Sequence, residues 1–379
     1  MRMIKFKLVI LLCLVSILGC EKKQQMEEPN DKGLLRNEIN INPTYIDRIK
    51  NVDDFFELLK LNRITDLETN NKSLIGNIED IIYLQSEKKI IILDNSVAKN
   101  IFVFDLDGRF LNTIGHRGEA EGEYIVPKCI AYENGVLAVF TDASKLIFYK
   151  LDGTFIKEIS FPKRGWYFQP SKILLNNNDL YCYSNDLYLS EAPDGKNHIV
   201  IKIKNCEEFE NGFGELEKVF FADGGLMAYS NSILFSALFD GNIYEIGPNW
   251  KNEKIFTSIG KLHDVEKILS SKDQVDYIIK HIKDDDFDSI LFMNEINNII
   301  FLVRYKLISA IDNKGNVIKR DIPFSINFPK EYGENASRLP FHFYDDGVIL
   351  SSININEITD TLTPNPSLLF YKLNDSLTK

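Results

Sequence analysis

The chain has 379 residues, 44% of them hydrophobic and 26% charged, a globular balance that fits one large domain or two smaller ones. Its formal net charge is −11, and removing Arg2, Lys5 and Lys7 with the first 19 residues takes the remainder to −14. A body this acidic repels phosphate backbones, which argues against a nucleic-acid partner.

The N-terminus opens with "MRMIKFK", a positive segment, followed by the apolar run Leu8 to Leu18, too short to span a bilayer comfortably. Gly19 before Cys20 resembles the bacterial lipobox. That resemblance implies cleavage before Cys20, lipidation of its thiol and a membrane partner for an otherwise soluble body. Each buried acyl CH₂ would add about 0.8 kcal/mol to the anchoring. A plain signal peptide, or a short membrane anchor with a chance cysteine, is the alternative. "EKKQQMEEPNDKG" then reads as a flexible polar tether, and it is similar to the surface-export signals of Bacteroidetes lipoproteins. The expected organisation is a signal over 1–19, a tether over 20–40 and a folded body over 41–379.

Cys129, Cys182 and Cys206 remain in the body, at irregular spacing and with no CxxC pair. Neither a zinc knuckle nor a disulfide framework is implied, and Cys129 and Cys182 read as buried small hydrophobes.

Lys88 to Gly115 and Asn134 to Ser160 are two copies of one unit. Each holds an apolar strand, a polar turn, a strand ("IFVF" or "LIFY"), "LDG" and a further strand ("RFLNTI" or "TFIKEI"). The period, from Gly108 to Gly153, suits a four-stranded propeller blade. Asp107-Gly108 and Asp152-Gly153 supply hairpin turns in which glycine takes a positive φ. A calcium loop is the rival reading of "DLDG", but "RFL" stands where further oxygen ligands belong.

Weaker copies follow, turning at Asp240-Gly241 and at Lys314-Gly315. The last unit lacks one strand, and an orphan strand, Asn62 to Thr69, precedes the first. Pairing the orphan beside "SLLFYKLN" completes six blades and covers two exposed edges. The predicted fold is therefore all-β, a six-bladed β-propeller of four-stranded antiparallel blades closed by an N-terminal strand. Val265, Leu269, Val275, Ile278, Ile279 and Ile282 recur at helical spacing, so a short helical insertion is expected near 262–284.

"SLIGNIEDIIYL", "NIFVFDLDGRFLNTIGHRGEAEGEYIVP" and "NPSLLFYKL" resemble the six-bladed β-propeller lipoproteins of Bacteroidetes, and the blade unit resembles an NHL repeat within the TolB-like propeller superfamily. The resemblance implies a fold and an envelope location, at the outer membrane and facing the periplasm or the surface. It implies little chemistry.

"IGHRGEAEGEY" reads as the connector from the outer strand of blade one to the inner strand of blade two. A phosphate loop would need a helix and a Lys-Ser/Thr pair after it, and a strand follows instead. Such connectors share one face of a propeller with the loops between second and third strands. Long connectors on that face mark it as the binding side.

Ligand contacts expected there are His116, Arg117, Glu119, Glu123 and Tyr124, then Arg164, Trp166 and Tyr167, then Tyr332 and Arg338. Tyr and Trp would stack on sugar rings or a peptide, and Arg would fork onto a carboxylate. Each also has a local reading: Tyr124 and Trp166 as wedges between blades, His116 and Arg117 as partners of Glu119 or Glu123.

The acidic run Lys283 to Asp288 reads as a solvated turn rather than a cation site, and no HExxH or GxSxG motif is present. The expected function is a monomeric, lipid-anchored module without a cofactor, binding a glycan, peptide or protein. The alternative is a metal-dependent hydrolase or lyase of lactonase-like or NHL-like type. It would hold a divalent cation in the central channel, with Glu79, Asp80, Asn294 and Glu295 on inner strands.

Overall fold

The computed structural model describes residues 43–161, 169–184, 194, 198–215, 225–229, 232–236, 242–247, 252–256, 290, 292–304, 307–325, 341–344, 347–352 and 364–374. Cys20, Arg164, Trp166, Tyr167, Tyr332, Arg338, the 240–241 turn and the helical insertion expected near 262–284 lie outside the described residues.

The body is all-β, built as six four-stranded antiparallel sheets. From inner to outer strand, blade 1 is Asp80–Leu84, Lys89–Asp94, Asn100–Asp105 and Phe110–Thr113. Blade 2 is Pro127–Glu133, Val136–Thr141, Lys145–Lys150 and Phe155–Ser160. Blade 3 is Lys172–Asn176, Asp179–Tyr183, His198–Lys204 and Glu208–Glu215. Blade 4 is Leu226–Tyr229, Ser232–Ser236, Ile243–Ile246 and Asn252–Phe256. Blade 5 is Phe292–Ile296, Ile299–Val303, Leu307–Ile311 and Val317–Pro323. Blade 6 is Phe341–Tyr344, Gly347–Ser352 and Ser367–Leu373, with Leu59–Asp66 as its outer strand.

The closing strand is thus the expected one, shifted three residues toward the N-terminus. It runs antiparallel to Ser367–Leu373, from Leu59 opposite Leu373 to Asp66 opposite Ser367, with a bulge between Leu61 and Arg63. The inner strand of blade 1 touches those of blades 2 and 6, so the ring closes on itself.

The middle strands are continuous apolar runs because each blade is covered on both faces. In Lys89–Asp94, Ile90 and Ile92 pack against blade 6 while Ile91 and Leu93 pack against blade 2. Every junction between neighbouring blades has its own core of this kind. Alternate side chains on one strand therefore serve two different cores. The outer strands lack a second neighbour and expose Leu111, Phe155, Ile156 and Val317.

Turn chemistry follows the faces. First-to-second strand turns at Asn134-Gly135, Asn177-Asn178 and Asn297-Asn298 hold positive φ at both residues, the type I′ geometry that suits the strand twist. Third-to-fourth strand turns carry Gly108, Gly153 and Gly315 at φ +84°, +87° and +84°, as the Asp-Gly and Lys-Gly signals predict. In the first of these, Asp105 Oδ1 accepts the N–H groups of Asp107 and Arg109 at 2.9 Å each. Asp312 does the same for Lys314 and Asn316 at 2.8 Å. The acidic side chains organise backbone, which is why this motif looks like a cation loop without being built as one.

A helix not foreseen from sequence, Pro43–Asn51, precedes the closing strand, and a 3₁₀ turn, Phe55–Leu58, links them. Tyr45, Ile49, Val52, Phe55 and Leu58 enter the core between blades 5 and 6. No helix among the described residues is long and apolar enough to cross a membrane. Cys129, Cys182 and Cys206 are free and buried, the first two as expected, and all three lie in the core between blades 2 and 3. Burial raises all three thiols, Cys206 to about 12.

A Cβ on Gly108 would lie 2.0 Å from the Asp66 carbonyl oxygen, on the closing strand, whereas one on Gly135 would meet nothing within 4 Å. Both glycines have positive φ, so both pay the left-handed cost of about 1 kcal/mol on replacement by alanine, and only Gly108→Ala adds a backbone clash. Denaturant titration is expected to show a loss of about 1 kcal/mol for Gly135→Ala and at least twice that for Gly108→Ala.

Candidate functional site

The connector between blades 1 and 2 begins as Ile114 continues the outer strand, its N–H donating to the Ile101 carbonyl at 3.0 Å. Gly115 then turns at φ +70°, where a Cβ would lie 2.7 Å from both the Tyr124 ring and the Tyr149 hydroxyl. His116 pairs with Glu123, and Arg117 with Tyr124, in a short parallel bridge, so residues 118–122 form a small loop pinched at its neck. The Tyr149 hydroxyl donates to the Gly122 carbonyl at 2.7 Å, and the Gly122 N–H donates to Glu158 at 3.1 Å. Tyr149 and Glu158 belong to blade 2, so the loop is fastened to that blade.

This loop presents His116, Arg117 and Glu119, which are exposed. Glu123 is partly buried and accepts the Ala120 N–H at 3.0 Å, which turns its carboxylate toward the loop's own backbone. Among the described residues no ion pair joins His116 or Arg117 to Glu119 or Glu123. Tyr124 corrects the expectation from sequence. It is 2% exposed, lies in the core between blades 1 and 2, and donates its hydroxyl to the Ile114 carbonyl at 2.5 Å. Burial also raises its phenol well above the ordinary value. It is the wedge, not a surface contact.

The same face carries a second clamp. Asp94, at the end of the second strand of blade 1, is fully buried. Its Oδ2 accepts the N–H groups of Gly76 and Asn77 at 2.8 and 2.9 Å, and its Oδ1 those of Ser96 and Val97 at 3.2 and 2.8 Å. One carboxylate therefore ties the entering connector to the loop between the second and third strands. Above it Val97 and Leu74 are 67% and 47% exposed. Asp94 carries no sequence motif; only its place at the end of an apolar strand, before the polar "NSVAK", hints at this role.

Among the channel candidates, Glu79 is exposed, and Asp80 begins the inner strand of blade 1 with its Oδ1 3.5 Å from His342 Nδ1. His342 lies on the inner strand of blade 6 and was not singled out from sequence. Asn294 and Glu295 fall on the inner strand of blade 5, as expected. Lys172, from the inner strand of blade 3, places its ammonium 5.8 Å from the Phe292 ring centroid, and Phe292 meets Phe343 edge to face at 6.0 Å. Basic, aromatic and imidazole groups thus stand on the inner strands. Among the described residues, no three His, Cys, Asp or Glu side chains converge as a metal site.

Desolvation raises the Glu295 carboxyl above its ordinary value. A carboxyl raised on folding lets stability stand in full below its unfolded pKa and erodes it as pH rises through the folded pKa. Glu295→Gln is therefore expected to be neutral to stabilising at pH 7, with the gain vanishing below about pH 4, in melts followed across pH.

In solved structures the fold is similar to that of a protein from Bacteroides fragilis assigned as exported, with 19% identity, a TM-score of 0.62 and coverage of 85% of this chain and 97% of that one. The extracellular domain of a one-component system from B. thetaiotaomicron has 10% identity and a TM-score of 0.42, covering 80% of this chain and 35% of that one. BamB from Moraxella catarrhalis has 10% identity and a TM-score of 0.39, covering 81% and 74%. No curated protein matches the chain in sequence. The match over residues 39–379 is to the family described as Domain of unknown function (DUF4934), and the chain belongs to that family.

Proposed function

We propose that this propeller is a binding module of the cell envelope, lipid-anchored at the outer membrane through Cys20, which takes a glycan, peptide or protein on its connector face. The observation that carries this reading is the asymmetry of the two faces. One face has two-residue turns at Asn134-Gly135, Asn177-Asn178 and Asn297-Asn298. The other has the pinched loop with exposed His116, Arg117 and Glu119, beside the Asp94-clamped loops that display Leu74 and Val97. Fixed loops lose little conformational freedom on binding, so the interaction energy of their side chains is retained. In this proposal Arg164, Trp166, Tyr167, Tyr332 and Arg338 extend the surface from the other long connectors, and Glu123 shapes the loop that carries the first contacts.

A metal-dependent hydrolase or lyase is the second reading, favoured by the approach of Asp80 to His342 across the inner strands. Metal analysis of the purified protein and melts with a chelator separate the two. A bound divalent ion, lost to chelator together with thermal stability, supports the enzyme; no ion and an unmoved melt remove it.

Glycan arrays and pull-downs with the anchored chain test the binding module. His116→Ala with Arg117→Ala is expected to weaken capture about tenfold while leaving the melting temperature unchanged, as exposed side chains do. Asp94→Ala removes the buried carboxylate that four partly buried N–H groups share and is expected to cost about 3 kcal/mol in denaturant titrations, as well as to weaken capture. Capture that survives both changes places the ligand elsewhere.

A further inference from the structure

We propose that the cavity at the outer junction of blades 5 and 6 is a second site, one that binds an organic ammonium ion with its positive nitrogen on an apolar frame. The cavity measures about 410 Å³ and is lined by Asp54, Phe56, Glu57, Ser325 and Tyr371. That is a common size for a small-molecule site. Three separate pieces of chain build it: the 3₁₀ turn before the closing strand, the residues leaving the outer strand of blade 5, and the third strand of blade 6.

The lining is aromatic and acidic. Phe56 and Tyr371 meet edge to face, with centroids 5.4 Å apart and planes at 86°. Asp54 Oδ1 accepts the Phe56 N–H at 2.8 Å, capping the turn and fixing its carboxylate. Neither Asp54 nor Glu57 has an ion-pair partner among the described residues. Nearby cations are engaged with main-chain carbonyls. Arg48 Nη2 donates to the Glu57 carbonyl at 3.0 Å, and Lys319 Nζ donates to the Val52 carbonyl. Two carboxylates without ion-pair partners stand beside two rings in a partly apolar hollow, with Arg48 and Lys319 held on main-chain carbonyls rather than on those carboxylates. Ring faces and carboxylates both attract a cation whose charge is spread over alkyl groups, and they repel an anion.

Calorimetric titration of the full chain with choline, and with its uncharged isostere 3,3-dimethylbutan-1-ol, tests the site. Choline is expected to bind, with the isostere at least about tenfold weaker. Asp54→Asn with Glu57→Gln is expected to weaken choline binding about tenfold. Asparagine keeps a capping oxygen, and Glu57 is exposed, so Glu57→Gln alone supplies a folded variant if the pair is unstable. Equal binding of both compounds, choline binding unmoved by the folded variants, or no choline binding into the millimolar range overturns the proposal.

Discussion

The antiparallel pairing of Leu59–Asp66 with Ser367–Leu373 is the constraint on which the ring depends. Without it the sixth sheet would present its third strand as an open edge, and the cores on either side would face water. The pairing is reinforced where the two ends of the chain meet. Buried Asn365 accepts the Ile75 N–H at 2.9 Å and donates to the Glu68 carbonyl at 2.7 Å and the Ser73 carbonyl at 2.5 Å. Ser367 donates to Asp66 at 2.6 Å. The turn of blade 1 then docks just past the end of the closing strand, with the Glu68 N–H donating to the Gly108 carbonyl at 2.8 Å. Residues nearly three hundred positions apart are thus held by main-chain and amide bonds in a buried setting, where leaving any of these groups unpaired would be costly.

Six separate junction cores change how damage spreads. Ile91 belongs to one core and Ile92 to the next, so each middle strand couples two cores through a rigid ladder. Loosening one blade exposes two junctions, and the closed ring leaves no terminal blade that can fray alone. This is where the architecture departs from an open repeat array, whose end units unravel independently.

Much of this architecture is legible in the amino-acid order because it rests on local rules. "LDG" demands a positive φ, "NIFVF" is apolar without alternation because both its faces are covered, and the orphan strand answers a missing one. The helix Pro43–Asn51 was hidden because only Tyr45 and Ile49 of its nine residues are buried, too few to make a period, and its stability comes from blades 5 and 6. The candidate site was less legible. Tyr124 sits in a polar loop, and nothing local announces that its ring lies between two blades. His342 meets Asp80 from the far end of the chain, a pair that appears only when the ring is assembled, and Asp94 gathers Gly76 and Asn77 from before its own blade with Ser96 and Val97 just after it, through backbone bonds that leave no mark on the sequence. The exposed triplet His116, Arg117 and Glu119 was readable because the glycines flanking it mark a reversal.

The closing strand also sets the order in which the molecule yields to a pull. Residues before Pro43 are joined to the helix Pro43–Asn51, whose buried side chains, with the Lys319 contact to the Val52 carbonyl, fasten it to blades 5 and 6, while Arg48 ties it to the Phe55–Leu58 turn. Tension entering from that side must first strip the helix and the Phe55–Leu58 turn from their core before it loads the first rung, Leu59 against Leu373. The helix is therefore a mechanical fuse in series with the latch of the ring, and it shields that latch from whatever tugs on the leading segment.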